Sequence, residues 1–538
     1  MAFLKKHWPT LLIVLLPLVP LWRAIFLFQT IGQFEDIRLM MQGLPTERAF
    51  DVLQTDASLQ FYVWRDLVFE SWGRLEVPAW NELQLMGTPL LANSQSAGFY
   101  PLHIVVGLLH IPTSIAIALL AWFHLAWAGL GSARLARSMG ANTVGAAAAG
   151  VVLCASPFLL SWVGLSSVIT TVAWIPWAMA LTYELATGAT IDRKKLALLA
   201  LCFGLMILGG HLQFSAYGFM GCGIVAITAA AQSKRLVPIG AWAGAVILGG
   251  MIAAPQLLPV LEFSKHSHRQ GNPTPDGYKA YVSSAIKPFE LPSLAFPSSF
   301  GEPGQAIEGD YDGPPIPAYW PGYVKRGANY AEASGIYLGP AALLLLAGLA
   351  SRKRVKQLLP VTLAGLFGLL LAIGTPLNWI LYNWLPGWSA TGSPGRASVL
   401  FVVAAAALIG PLWPRKKIEL PDLKLRSAVA GGVVVLSLVL IGGGLLGNTP
   451  YHEAYAELLP IAKNDAMISG LSIAGLLIGL AALIGYGFVQ DQPKLALAAL
   501  AASMLLLAGP RVIPTSNWVP EKVPDAERSA FINDNWEL

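Results

Sequence analysis

Charge is what this chain has least of. Of its 538 residues only 12% are Asp, Glu, Lys or Arg, 55% are hydrophobic, and the mean hydropathy is +0.58. A soluble globular protein of this length needs more charge to cover its surface, so that class is excluded. Cysteine is nearly missing as well. The three that occur, Cys154, Cys202 and Cys222, fall inside apolar segments, which leaves buried thiols and excludes a disulfide framework or zinc-type spacing. Asp51, Asp56 and Asp66 make no adjacent D-x-D, and His266 and His268 are a weak ligand pair, so no metal or other cofactor is expected, and dependence on a divalent ion stays open. The first apolar run, Pro9 to Phe28, has no small-residue cleavage site after it and reads as a retained span. No internal repeat of the inverted-transporter kind stands out.

What is present is a succession of apolar runs of spanning length. About thirteen can be counted, near 9–28, 112–133, 143–163, 165–186, 195–210, 212–232, 236–258, 334–350, 357–375, 396–413, 427–447, 466–488 and 493–510. The expected fold is an all-α polytopic membrane protein. Tight turns join 143–163 to 165–186 and 195–210 to 212–232, so one of these pairs reads as a possible broken helix. Alternating sides from an inner N-terminus places Arg134 and Arg137, Arg193-Lys194-Lys195, Lys234-Arg235, Arg352-Lys353-Arg354 with Lys356, and Arg415-Lys416-Lys417 on the inside. The net charge of +5 is therefore a topology signal and gives no reason to expect nucleic acid as a partner.

The polar mass is then outside: a first outer loop at 29–101, a second at 262–333, a smaller one at 375–396, and a short tail, 511–538, after a membrane domain at 1–510. Long, chemically mixed loops over a membrane bundle suggest a vestibule. The first loop reads DASLQFYVWRDLVFESWGRLEVPAWNELQLMGTPLLANSQSAGFYP from Asp56 to Pro101. Asp56, Gln60 and Val63 share one face of a predicted interfacial helix, with Arg65 roughly opposite and Phe61, Trp64 and Trp72 near the interface. Trp80, Asn81, Asn93, Gln95 and Tyr100 follow among turns. Amides beside aromatics suit hydroxyl-rich ligands, and more often than not a single one only ties a loop together.

The spacing D-x-x-x-Q-[FY], P-x-W-N and G-x-P-x-x-A-N-x-Q-x-x-x-[FY]-[YP] resembles the YfhO-like bacterial membrane proteins. It is carried by Asp56, Gln60-Phe61, Pro78, Trp80-Asn81, Gly87, Pro89, Ala92-Asn93, Gln95 and Phe99-Tyr100-Pro101. Gly209-Gly210-His211-Leu212-Gln213 is similar to the family's G-H-x-Q step. Gln256-Leu257-Leu258-Pro259 with Glu262, Ser264 and Arg269 is similar to its Q-x-x-P-x-x-E-x-S stretch, and Ser393-Pro394-Gly395-Arg396 to its P-x-R step. The first-loop pattern is the specific part. The family in turn resembles the GT-C glycosyltransferases, whose first outer loop holds a catalytic carboxylate and which take sugar from a polyprenyl-phosphate carrier. Two departures stand out. Asp56 follows an added stretch, Gln29–Thr55, in which Glu35-Asp36 lies nearer the membrane, and the tail after the last span is short where relatives often carry a larger outer domain.

The resemblance implies an inverting transfer, with Asp56 as general base and Gln60 beside it. It implies a lipid phosphate held by some of Arg65, His211, Arg269 and Arg396, and Trp80, Asn81, Asn93, Gln95, Tyr100, Gln213 and Glu262 about the substrates. The implied partners are a polyprenyl-phosphate-linked sugar, a cell-envelope glycan or lipid acceptor, and membrane lipid. The implied location is the bacterial inner membrane, with the active face periplasmic or extracellular. Two rivals remain at this point. A transporter or flippase of lipid-linked glycans would want ionisable residues deep in several spans, and few occur. A non-catalytic envelope scaffold would tolerate loss of charge from the first loop.

Overall fold

A computed structural model describes residues 2–42, 51–266, 273–294, 328–342, 344–345, 355–415, 481, 484–485, 487–505 and 513–517. Among them regular structure is helical, apart from one two-residue ladder and an isolated bridge between Asn81 and Thr88. Thr113–Ser138, Thr143–Ser161, Ser166–Thr187, Leu212–Ser233 and Pro394–Leu412 are each long and apolar enough to cross a membrane.

Two further helices continue past a sharp bend. Val237–Ile252 turns by 83° into Ala254–Ser264, and Lys356–Ala372 turns by 81° into Leu377–Trp384. Proline explains both. Pro255 cannot donate the backbone hydrogen bond that would carry the first helix on. In the second, Gly374 takes a left-handed φ of 73° just before Pro376.

By length and composition the described residues thus hold five spans, or up to seven with the bent pairs, where the apolar runs suggested about thirteen. Segment 427–447, part of 334–350 and most of 466–488 lie outside the described residues. The first run is divided into Ala2–Leu15, a single turn Leu16–Leu18 and Trp22–Phe26, interrupted at Pro17 and Pro20. The runs at 195–210 and 493–510 form Arg193–Leu208 and Pro493–Leu505. Breaks fall inside helices and not between the tightly joined pairs. Thr143–Cys154 stops before Pro157, where the Ser156 hydroxyl accepts from the Leu159 amide at 3.3 Å and starts the next piece.

Small residues let the central helices touch. Thr113–Ser138 packs on Thr143–Cys154 so closely that a Cβ on Gly129 would stand 2.9 Å from the Gly150 carbonyl oxygen. With no hydrophobic drive between helices in lipid, such contact supplies the attraction.

The two ends of the bundle differ. One gathers the basic clusters. Arg134 and Lys195 both pair with Glu184, Arg235 donates to the Gly188 and Ala189 carbonyls, and Arg415 donates to the Gly140 carbonyl. Arg134, Lys195, Arg235 and Arg415, all expected on one side, are therefore found at one end, while Arg352-Lys353-Arg354 and Lys416-Lys417 lie outside the described residues. At the other end the first outer loop meets Ser161, Gly164, Ser167, Gly210 and Tyr330, and Arg396 meets Gln213. There Thr30–Ile31 pairs antiparallel with Thr515–Ser516, Thr30 opposite Ser516, so residues 513–517 dock on the start of the first loop.

Candidate functional site

The first loop begins with a knot around a buried carboxylate that the sequence did not single out. The Gln33 amide donates to the Asp51 carbonyl at 2.7 Å and accepts from the Asp51 backbone amide at 2.8 Å. The Asp51 side chain accepts from the Tyr330 hydroxyl at 2.5 Å and from the Leu53 amide at 3.0 Å. Burial pushes its pKa up to about 6, against the pull of those donors. Next, Gln54 donates to the Ser161 carbonyl at 2.7 Å, and Gly164 leaves room for Gln54 and Ala57 to lie against it.

Asp56 follows at once, and unlike Asp51 it is exposed. It precedes a π-helical turn, Ala57–Phe61, which runs into Tyr62–Gly73. Gln60 donates to the Asp56 carboxylate at 2.8 Å. The wide turn still brings positions four apart together. Phe61 and Trp64 are buried and Trp72 half-buried, so this helix packs against the protein and not along the bilayer surface as expected. Arg65 does not reach the outer side either. It is 0% exposed, and its Nη1 donates to the Gln95 carbonyl at 3.0 Å and also to that of Ser96. Burial lowers its pKa to about 9. It braces the loop from beneath.

The remaining first-loop residues largely hold the loop's shape. Asn81 exchanges backbone hydrogen bonds with Thr88, and its side chain accepts from the Leu83 amide at 2.9 Å. Asn93 caps the turn Ser94–Ser96. The Gln95 side-chain oxygen accepts from Ser167 at 3.1 Å. Tyr100 is buried between His124 and Trp174, at 2.7 and 3.0 Å. Trp80 is 55% exposed, lying over Gly87.

A second group forms where the spans end. Pro394–Leu412 starts at the Ser393-Pro394-Gly395-Arg396 step. Arg396 donates from Nη1 to Gln213 at 3.1 Å, its Nε lies 3.6 Å from Glu332, and its guanidinium stands over the Trp162 ring at 5.5 Å. Gln213 also donates to Tyr217 at 2.9 Å. The Arg396 side chain stays 25% exposed, whereas Glu332 is 0% exposed. Glu332 accepts from the Ser393 hydroxyl at 2.5 Å and from Asn329 at 3.0 Å. Burial pushes its carboxyl above the usual range, opposed by Arg396 first and then by the two hydrogen bonds. His211 rests edge-on against Phe214, with Nδ1 buried and no hydrogen-bond partner among the described residues.

The two groups share a wall. Ser161 and Gly164 carry Gln54 and Ala57, next to Asp56, while Trp162 between them carries Arg396. Tyr330 holds Asp51, and Glu332 on the same short helix, Tyr330–Ala333, holds Arg396. A partly exposed cation and an exposed carboxylate are thus anchored to neighbouring residues of one segment, 161–164, a pairing that suits an anionic ligand and a group that takes a proton.

Glu262 is exposed near the end of Ala254–Ser264, and Arg269 lies outside the described residues. Among the described residues no three His, Cys, Asp or Glu converge in a way that could hold a metal. Glu332 carried one legible signal: Asn329-Tyr330-Ala331-Glu332 is a capping-box pattern, and the Asn329 side chain accepts from the Glu332 amide at 3.0 Å. Asp51 and Trp162 had none, because their partners are remote in sequence.

No family model matches the chain, and no curated protein is similar to it in sequence. Among solved structures it is similar to ArnT from Cupriavidus metallidurans in the apo state, at 12% identity and TM-score 0.44, over 84% of this chain and 72% of that one. The same enzyme bound to undecaprenyl phosphate gives 12% identity and TM-score 0.41 over the same shares. The archaeal oligosaccharyltransferase AglB from Archaeoglobus fulgidus, in complex with an inhibitory peptide and a dolichol-phosphate, gives 13% identity and TM-score 0.37, over 93% of this chain and 56% of that one. Likenesses this distant carry no argument about function.

Proposed function

We propose that this chain is a GT-C-like, YfhO-like membrane glycosyltransferase of the bacterial inner membrane. It moves a sugar from a polyprenyl-phosphate carrier to a hydroxyl of a cell-envelope glycan or lipid on the outer face. One observation carries the reading: a partly exposed Arg396, fixed at the end of a span, rests on Trp162, and the residues on either side of the exposed Asp56 rest on Ser161 and Gly164.

In this reading Asp56 takes the proton of the acceptor hydroxyl as its oxygen attacks the anomeric carbon, with Gln60 orienting the carboxylate. The bond from that carbon to the phosphate oxygen breaks with inversion, and its electron pair leaves with the lipid phosphate. Arg396 meets the charge that develops there, helped by His211 and, in the second loop, Arg269. Trp80 and Glu262 are both exposed, and the reading assigns them to the substrates. Asn81, Asn93, Gln95, Tyr100 and Gln213 act by holding the loop and Arg396 in place. The reading assigns the site to the membrane domain 1–510 and its outer loops 29–101 and 262–333, of which 267–272 and 295–327 lie outside the described residues.

The test is reconstitution. The full chain in vesicles is given a polyprenyl-phosphate sugar and a soluble hydroxyl acceptor on the outer side. Sugar transfer with release of the lipid phosphate is expected. Movement of the intact lipid-linked sugar across the bilayer without transfer would overturn the enzyme reading.

A further inference from the structure

We propose that Glu332 is the positioning residue of the anion site, holding the Arg396 guanidinium so that one edge faces a ligand phosphate. The inference rests on the transferase reading given above. Four observations support it.

Arg396 lies at the start of a helix, the positive end of the helix dipole, where a cation is disfavoured unless a carboxylate compensates it. Its contacts divide by edge. Nε is turned to Glu332 at 3.6 Å, Nη1 to Gln213 at 3.1 Å, and one face lies over Trp162. Nη2 then makes no hydrogen bond among the described residues, on a side chain that keeps 25% of its surface.

Glu332 cannot meet the ligand itself, being 0% exposed and fixed by Ser393 and Asn329. The local sequence is fitted to this pair. A Cβ on Gly395 would collide with the Glu332 carboxylate, and one on Gly392 would stand 2.8 Å from Nη1 and 3.4 Å from Nη2. Glycine at both places keeps the carboxylate close and the outer edge uncovered. A surface arginine swings through many rotamers, whereas one hydrogen-bonded at Nη1, laid over a ring and drawn at a buried Nε to a carboxylate 3.6 Å away, without a hydrogen bond, presents a set direction, which is what preorganised charge stabilisation requires.

The experiment uses the full chain in nanodiscs with two probes, a short-chain polyprenyl monophosphate and the polyprenol that lacks the phosphate. Arg396→Leu should weaken the phosphate probe by about ten- to a hundred-fold and leave the polyprenol unchanged. Glu332→Gln should weaken the phosphate probe by about ten-fold, and Glu332→Asp should recover part of that loss. The double variant Glu332→Gln with Arg396→Leu should bind no worse than Arg396→Leu alone, since Glu332 acts through the arginine. Full affinity in Glu332→Gln, or a further loss added on the Arg396→Leu background, would overturn the proposal.

A second readout needs no lipid. Modification of Arg396 by an arginine-specific dicarbonyl, followed by peptide mass, should run several-fold faster in Glu332→Gln than in the native chain. Gly395→Ala, which displaces the carboxylate without removing its charge, should behave the same way and guards against a Glu332 variant that fails to fold. An unchanged rate in the variants overturns the positioning role. If the native chain does not distinguish the phosphate from the polyprenol, the carrier reading falls, and the modification rate still decides the role of Glu332.

Discussion

The two ends of this bundle use charge in opposite ways. At the end that collects the basic clusters, charge closes contacts. Arg134 makes two hydrogen bonds to Glu184 at 3.0 and 3.1 Å, Lys195 meets the same carboxylate at 3.0 Å, and Ser138 adds a third donor. Arg235 caps two carbonyls of the 188–189 turn, and the Gln357 amide reaches the Met139 carbonyl. At the other end charge is held but left open. Arg396 keeps an exposed edge, Asp56 has one hydrogen bond among the described residues, and the buried Nδ1 of His211 and Nε1 of Trp162 have none. Saturated networks are what a structural end needs. Anchored groups with remaining donor and acceptor capacity are what a ligand needs.

Substitutions should separate the two ends. The largest contrast is expected at Arg396. Arg396→Leu should reduce transfer by about ten- to a hundred-fold, the worth of one charge-assisted contact, and should also lower the melting temperature, because the buried Glu332 loses its cation. Transfer per folded molecule is the measurement, and a loss explained by unfolding alone would remove the contrast.

The next effect is on stability and depends on pH. Asp51 has a folded pKa raised from 3.8 to about 6, so the native state binds more protons than the unfolded chain between those values. Its burial therefore becomes a growing cost as pH rises through that window, reaching about 3 kcal/mol above it. Asp51→Asn keeps an acceptor for Tyr330 without the charge. Thermal unfolding should show this variant more stable than the native chain at pH 7, with the gap closing below about pH 4. A gap that widens towards acid would show Asp51 to be stabilised as the anion.

A smaller loss is expected at the saturated end. Glu184→Gln should cost about 1–2 kcal/mol, because it strands Arg134 and Lys195, which are partly exposed. Transfer by the folded fraction should stay near native. The last test is of sidedness. Glu82→Cys should react with an impermeant thiol reagent from outside, and Lys194→Cys only after permeabilisation. The reverse pattern would invert the orientation.

Much of this was legible beforehand, for physical reasons that differ by residue. Hydropathy marked the spanning helices at Thr113–Ser138 and Leu212–Ser233 within a few residues, because apolar length is written locally. It did not mark the break within the first run at Pro17, and it could not foresee that Val237–Ile252 bends aside at Pro255. The first-loop pattern pointed to a built loop, and Asn81, Asn93 and Gln95 do build it, with Gln256 reaching across to Ser94 and Phe99. What stayed hidden were partnerships across long separations. Arg65 looked like an outer cation because a helical wheel cannot say which face meets the protein. Glu332 lay unremarked in a long loop because its worth depends on Arg396, 64 residues further on, and on Gly395 leaving room for it.

The claim that the open end is catalytic is tested most directly at Asp56. Asp56→Asn keeps the shape and the contact with Gln60 but removes the proton-accepting charge. Transfer from a polyprenyl-phosphate sugar should fall by at least about a hundred-fold in a protein that inserts and melts like the native chain. Asp36→Asn and Asp66→Asn, changed alongside it, should stay near native. Near-native transfer by Asp56→Asn, with loss in Asp36→Asn or Asp66→Asn, would move the base to that residue, and activity in all three would contradict the account.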